Sequence, residues 1–299
     1  MTITDKQLAA RDQGIGSSEV AAILGRDQYR TSWDVWAVKT GRAEPQAENS
    51  AMRIGTRLER ALLDMAQDEL GLKIVAPTST FVRGILRANV DGMLERFQRG
   101  ATIVEAKTTS ASEGWGTPGT ADVPERVFLQ AQHQMFCADS PRVYVARLLA
   151  SFGFQFALYQ IDRNEDVCAE IDARCREWWD AHVIGDTAPA ATASMETLAR
   201  IRREAKKVDI DSTLINRERI ARTVLERAEA EYDAAKIAVL TAMGDGDMAT
   251  DGTWTVRYTQ ATRTSADMAE ILKRWPEAKD LNKTSTFRRF DVRKIGATK

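Results

Sequence analysis

Asp91, Glu105 and Lys107 are the residues of this chain whose types and spacing can do chemistry together. Glu105-Ala106-Lys107 begins fourteen residues after Asp91, between Thr102-Ile103-Val104 and Thr108-Thr109, a run that favours a β-strand. Alternate side chains of a strand share a face, so Glu105 and Lys107 point one way, Val104 and Ala106 the other. The stretch Ala88–Leu94 can pair with this strand as the second arm of a hairpin turning near residues 96–100, which carries Asp91 to Glu105 and Lys107. Two carboxylates can hold a divalent cation, and an adjacent ammonium can orient an attacking water or steady a developing oxyanion. Such an array suits phosphodiester hydrolysis. Taken alone, alternating charges more often mark a solvated strand face, so the neighbouring elements decide.

Those elements arrive in a fixed order. Gly14-Ile15-Gly16-Ser17-Ser18-Glu19 opens a short apolar helix over 20–24 that Gly25 closes, either an ordinary capped turn or an anion pocket of free N–H groups. A long amphipathic helix spans 50–70 and stops at Gly71. Its apolar stripe is Leu58, Leu62, Met65, Ala66 and Leu70, with Glu59 at the border and Gly55 one turn earlier on the same face. Glu59 is then either a surface charge or a further metal ligand whose approach Gly55 permits. After the acid-x-Lys strand, Pro124 starts a helix that carries Gln130, Gln132 and Gln134 among apolar neighbours. Gln130 and Gln134 share a face, with Phe128, Met135 and Phe136 on the packing side.

The order Gly-Ile-Gly-Ser-Ser-Glu, Gly55-x-x-x-Glu59, Asn-Val-Asp91-Gly92, Val-Glu105-Ala-Lys107 and Gln130-Ala-Gln132 resembles the YqaJ-type viral recombinase family. That family includes the lambda-type exonuclease, within the Asp/Glu-x-Lys restriction-endonuclease-like superfamily, and the resemblance covers roughly residues 10–165. It implies that Asp91 and Glu105 bind Mg²⁺ with help from the Ala106 carbonyl, Mn²⁺ being a substitute. It also implies that Lys107 positions the water, that Glu59 lies near a second metal position, and that Gln130 sits beside the site. Arg11 and Ser18, seven residues apart, match residues that grip a terminal 5′-phosphate, with Gln132 as a further phosphate contact. Val90 stands where the family often has proline, and valine suits a strand at least as well. The implied activity is digestion of the 5′ strand of linear duplex DNA, leaving 3′ single-stranded tails. The implied partners are duplex ends, a single-strand annealing protein of the RecT or Red-beta type, and further copies of the chain in a ring trimer. A structure- or site-specific endonuclease on the same core, or a non-catalytic DNA-binding recombination factor, are the competing readings.

Composition sets bounds. With 299 residues, 43% hydrophobic and 28% charged, the chain is long enough for one large domain plus an appendage. No apolar run approaches a membrane span and the N-terminal residues lack a signal-peptide pattern, so a cytoplasmic protein is expected. Cys137, Cys168 and Cys175 are too few and too scattered for a disulfide framework, a zinc site or a four-cysteine cluster. The net charge of −1 is unfriendly to DNA binding, unless cations are concentrated locally, as at Arg53, Arg57 and Arg60, Lys206-Lys207 or Arg288-Arg289.

The expected fold is α/β, a mixed sheet flanked by helices on a restriction-endonuclease-like core, with a helical, coiled-coil-like and short-stranded C-terminal extension. Helices are expected at 18–24, 32–40, 50–70, 124–138 and 164–183. Strands are expected near 73–83, 86–95, 102–109, 143–150 and 154–162, the last two joined by a tight turn at 151–153. A small-residue linker at 185–194 divides a nuclease domain, 1–186, from an extension, 187–299. In the extension, Ala221, Leu225, Ala228, Tyr232, Ala235 and Val239 line one stripe of a helix over 215–242, spaced as in a helical hairpin or short coiled coil. Strands at 254–258 and 286–290 and a helix near 265–275 follow.

Overall fold

Four of the seven residues Ile103–Thr109 are β-branched, and this segment is the middle strand of a five-stranded sheet. The computed structural model describes residues 13–95, 100–151, 153–204, 207–259 and 268–276. Two compact units divide the chain, residues 1–203 and 204–299. In the first, the strands are β1 (Ile15–Gly16), β2 (Ile74–Val75), β3 (Phe81–Arg83), β4 (Leu86–Ala88), β5 (Gly92–Leu94), β6 (Ile103–Thr109), β7 (Arg142–Leu149) and β8 (Gln155–Asp162). The helices are α1 (Val20–Ile23), α2 (Ser32–Lys39), α3 (Ser50–Leu70), α4 (Glu125–Ala138), α5 (Glu165–Trp178) and α6 (Met195–Arg200).

The large sheet runs β2-β5-β6-β7-β8, with β6 and β7 parallel and the other neighbours antiparallel. The hairpin expected around Asp91 forms, with Gly92 opposite Val104 and Met93 opposite Ile103. The strand expected over 73–83 is instead two strands in different sheets. β2 edges the large sheet, while β3 joins β4 and β1 in a three-stranded sheet. Pro77 lies between them and lacks the N–H a continuous ladder would need.

α3 has the expected bounds. The Asn49 side chain accepts the Met52 N–H at 2.9 Å, and Gly71 closes the helix in the left-handed region at φ 61°. Its buried stripe is rotated slightly from the expected one: Leu62, Leu63 and Ala66 are buried, whereas Met65 is 41% exposed. Leu63 packs over Gly92, where an added Cβ would lie 2.6 Å from the Ile74 side chain and 3.0 Å from Leu63. Glycine after Asp91 is therefore what lets α3 lie close over β5. On the other face of the sheet, α4 buries Val127, Ala131 and Met135 against Ile103, Val143, Val145, Tyr159 and Ile161. α4 begins at Glu125, so Pro124 caps it rather than occupying its first turn.

The small-residue segment expected as a linker packs back on the first unit. The Ser194 N–H donates to Asp34 Oδ1 at 2.9 Å, Ala43 bridges Ile201, and Glu44 N–H donates to Arg200 O at 3.1 Å. The first unit consequently ends at Arg203 rather than at 186. The side-chain carboxylate of Asp34 supplies an acceptor that small-residue composition does not reveal.

The second unit holds α7 (Ser212–Met243), β9 (Met248–Thr250), β10 (Thr255–Arg257) and α8 (Met268–Arg274). The helix expected over 215–242, spaced as in a helical hairpin or short coiled coil, is α7, one unbroken helix of 32 residues, none of them buried. The strand expected at 254–258 is β10, paired antiparallel with β9. The strand expected at 286–290 lies outside the described residues. Among the described residues, no helix is long and apolar enough to cross a membrane.

Candidate active site

The pairing of β5 with β6 explains how Asp91 reaches the middle strand. Continuing the register past Gly92–Val104 would set Val90 opposite Ala106, but the strand pairing stops at Gly92. The Ala106 N–H is taken instead by Asp91 Oδ2, at 2.9 Å. A side chain thus replaces a ladder partner and fixes a carboxylate beside the Glu105-Ala106-Lys107 backbone. Val90 is 7% exposed and belongs to the core under α4, so valine in place of proline anchors this turn by packing.

Glu105 is 4% exposed and carries a full set of partners. Its Oε1 accepts from Lys107 Nζ at 2.7 Å and from Gln130 Nε2 at 2.6 Å; its Oε2 accepts from Gln134 Nε2 at 2.7 Å. Gln130 Oε1 accepts from Lys107 Nζ at 3.0 Å, which closes a ring of three side chains from β6 and α4. Gln134 also donates to the Asn89 carbonyl at 3.2 Å, tying α4 to the turn that presents Asp91. A buried carboxylate with charge-assisted donors on both oxygens is held in one orientation.

Asp91 is in the opposite situation. Burial raises its pKa well above the usual carboxylate value, and the neighbouring charges of Glu105 and, less strongly, Glu59 raise it further; Lys107 and the Ala106 N–H only partly offset this. That places Glu59 within electrostatic reach of the pair. An added Cβ at Gly55 meets nothing within 4 Å, so no protein packing requires the glycine there.

The donor set fits a hard divalent cation. Asp91, Glu105 and the Ala106 carbonyl offer only oxygen, and the surplus negative charge on Asp91 is what a dication would neutralise. Mg²⁺ is commonly held by one or two carboxylates with water completing its shell. Among the described residues no three His, Cys, Asp or Glu side chains converge on one metal position. The three cysteines are free, with Cys168 and Cys175 buried against the helices.

The other expected site residues fall differently. Ser18 is exposed on the turn Ser17–Glu19, and that turn rests on α4 through Ser17 Oγ, 3.1 Å from His133 Nδ1. One donor of the turn is already taken: the Gly16 N–H donates to Glu19 Oε2 at 2.7 Å, and Lys39 Nζ lies 2.9 Å from the same oxygen. Arg11 lies outside the described residues.

Gln132 is a correction. It is fully buried, its Nε2 donates to Asp162 O at 2.9 Å, and its Oε1 accepts the Asn164 N–H at 2.9 Å. It clamps the end of β8 to the start of α5 and offers nothing to a phosphate. Gln132→Ala is expected to cost about 1–3 kcal/mol of stability by orphaning a buried backbone carbonyl and N–H. It should leave duplex affinity unchanged; weakened binding in a variant melting like wild type would return Gln132 to the DNA site. Gln134, by contrast, holds the Glu105 carboxylate, and only the four-residue spacing from Gln130 signalled it.

Beside this site, a cleft of about 300 Å³ is bounded by Thr109 at the end of β6, Trp115, Arg26, Tyr29, Glu125 and Arg126. Arg53 and Arg57 are exposed on α3, while exposed Arg60 pairs with Asp64 at 2.6 Å.

Comparison with known proteins agrees with this fold. The YqaJ-like viral recombinase domain model matches residues 6–141. The uncharacterised protein YqaJ of Bacillus subtilis strain 168 is 25% identical over 309 residues, covering 97% of this chain and 94% of its own length. The alkaline exonuclease of Laribacter hongkongensis superposes with a TM-score of 0.50 at 19% identity, over 61% of this chain and 94% of that one. Its complex with dAMP gives the same TM-score at 18% identity. Strand β6, the Asp91 turn and helix α4 all lie inside the segment that matches the YqaJ-like viral recombinase domain model, and the fold is similar to that of the alkaline exonuclease.

Proposed function

We propose that this protein is a metal-dependent DNA exonuclease that digests the 5′ strand of linear duplexes and leaves 3′ single-stranded tails. The observation that carries the reading is the convergence of Asp91, on the turn leading into β5, with Glu105 and Lys107 of β6, while Gln130 and Gln134 lock Glu105 from the facing helix. A Mg²⁺ ion bound by Asp91, Glu105 and the Ala106 carbonyl would supply Lewis-acid polarisation of the scissile phosphate and lower the pKa of a bound water. Lys107, oriented by Glu105 and Gln130, directs its ammonium to the attacking water and to charge developing on the phosphoryl oxygens. The buried Glu105 network lets these groups act without reorganising during the reaction.

Polarity rests on the terminal phosphate. Ser18 stands on a turn packed against α4, and Arg11 is its expected partner in gripping a 5′-phosphate. Duplex ends, a single-strand annealing protein and a ring trimer are the partners that accompany this reading, and mononucleotides are its products. The related exonuclease crystallised with dAMP carries a molecule of that product class.

The deciding experiment is digestion of end-labelled duplex in Mg²⁺, comparing 5′-phosphate, 5′-hydroxyl and closed-circular DNA. The expected result is mononucleotide release from the 5′ strand, fastest with a 5′-phosphate, and none from circles. Arg11→Ala should narrow the gap between phosphate and hydroxyl ends. Cutting of closed circles would replace the exonuclease with an endonuclease on the same residues.

A further inference from the structure

Among the described residues, Arg147 is a buried cation with no carboxylate paired to it. It lies on β7, paired in parallel register with Lys107 on β6. Paired residues of neighbouring strands project to the same face of the sheet, about 4.8 Å apart. Arg147 therefore stands on the face that carries Glu105 and Lys107, on the side of Lys107 away from Asp91. It is 6% exposed, and its Nε is sealed from solvent with no hydrogen-bond partner. Its guanidinium lies 5.2 Å from the Trp115 ring centre and 5.5 Å from that of Tyr159. Arg142 and Arg163, also in this unit, each pair with carboxylates. Two aromatic faces attract a cation but do not neutralise it, and burying an arginine unpaired is unfavourable unless an anion joins it.

We propose that Arg147 binds a backbone phosphate of the strand being hydrolysed, one next to the phosphate attacked beside Lys107. The proposal rests on the nuclease reading and adds to it a second anion position. The planar guanidinium fork matches a phosphate better than an ammonium does. Trp115 is shared: its ring packs on Arg147 and also walls the cleft that Arg26 and Arg126 line. Thr109, which also walls the cleft, lies two residues beyond Lys107 on the same face of β6, so the cleft adjoins Lys107 along one strand and Arg147 through Trp115.

The rival role is a pillar that holds the 110–124 loop through Trp115. That loop has other anchors: Gly119 N–H donates to Leu158 O at 2.7 Å, Gln160 N–H to Thr120 O at 3.1 Å, and Tyr159 OH to Gly116 O at 3.2 Å. Its position does not need a charge at 147.

The test uses the full chain with Arg147→Met, which keeps bulk against the rings without charge, and Arg147→Lys, which keeps the charge. Duplex binding is measured by fluorescence anisotropy in metal-free buffer across a KCl series. Arg147→Met should bind about tenfold more weakly at low salt, with a log–log salt slope shallower by about 0.9, the signature of one lost phosphate contact. Arg147→Lys should restore the slope. An unchanged slope in Arg147→Met, whatever its activity or melting temperature, overturns the assignment in favour of the pillar. Should Arg147→Met not fold, single methylphosphonate linkages scanned along the cleaved strand give the answer in Mg²⁺. Wild type should slow at a second position besides the cut, and Arg147→Lys should change the penalty there alone; no second position overturns the proposal. Wild type that binds duplex with a salt slope yet never cleaves sinks the nuclease reading, and the binding series still decides Arg147. Wild type that does not bind duplex sinks both.

Discussion

Asp91→Asn is expected to abolish cleavage while stabilising the metal-free protein. The Ala106 N–H keeps an acceptor in the asparagine oxygen, so the turn at Asp91 survives. What disappears is a negative charge that burial, Glu105 and Glu59 all disfavour. Its folded-state pKa is raised above the ordinary 3.8, so the wild type has this residue's full stability only below that value and loses it as pH rises through the raised pKa. The asparagine variant titrates nothing there. In EDTA its melting temperature should match wild type at acid pH and exceed it at neutral pH, by the equivalent of about 1 kcal/mol. Added Mg²⁺ should raise the wild-type melting temperature and leave the variant almost unmoved. Cleavage should fall by about two orders of magnitude or more, the scale of losing several kcal/mol of metal-assisted stabilisation. Normal cleavage by this variant would remove Asp91 from the site; a lower melting temperature in EDTA at neutral pH would show that no charge conflict exists.

Glu105→Ala is not its equivalent. Removing Glu105 leaves Lys107, Gln130 and Gln134 without their common acceptor in a buried position, so lost activity there comes with lost stability. Asp91 is therefore the cleaner probe of the metal.

Strand β6 was legible because its residue pattern is local. Period-2 alternation places Glu105 and Lys107 together whatever the rest of the fold does, and the β-branched residues around them fix the strand. α3 was legible to the residue, since Asn49 and Gly71 are strong stop signals at the two ends of an amphipathic run. The break between β2 and β3 was missed because alternation continues past Pro77, and only the pairing partners reveal that two sheets are involved. The end of the first unit was missed for a related reason. Segment 187–203 is held by Asp34 and by backbone bonds to residues 43 and 44, contacts more than 140 residues away in sequence.

The glutamines of α4 show the limit most clearly. Helical spacing puts Gln130 and Gln134 on one face and Gln132 on another, yet nothing in the sequence says which face meets the acid. The structure turns Gln134 to Glu105 and Gln132 to the β8–α5 junction. Arg147 left no signal at all, because its interest lies in register: it is one strand away from Lys107 and forty residues later in the chain.

Lys107→Ala is expected to fail in a different way from Asp91→Asn. Asp91, Glu105 and the Ala106 carbonyl remain, so Mg²⁺ should still bind. Removing the ammonium takes away one charge that favours ionised Asp91, and metal affinity should change only modestly. Turnover, however, should drop by about two orders of magnitude or more, the usual scale for a positioned electrostatic group. The ammonium sits between Glu105 Oε1 at 2.7 Å and Gln130 Oε1 at 3.0 Å, a geometry suited to a compact three-donor group. Lys107→Arg should not restore turnover, because a guanidinium is broad and planar and cannot place a donor on both oxygens while addressing a water. Mg²⁺ titration followed by melting temperature, beside single-turnover cleavage, separates the two effects. Loss of metal stabilisation in Lys107→Ala as complete as in Asp91→Asn would mean that Lys107 holds the metal site together, and the water would then need another partner.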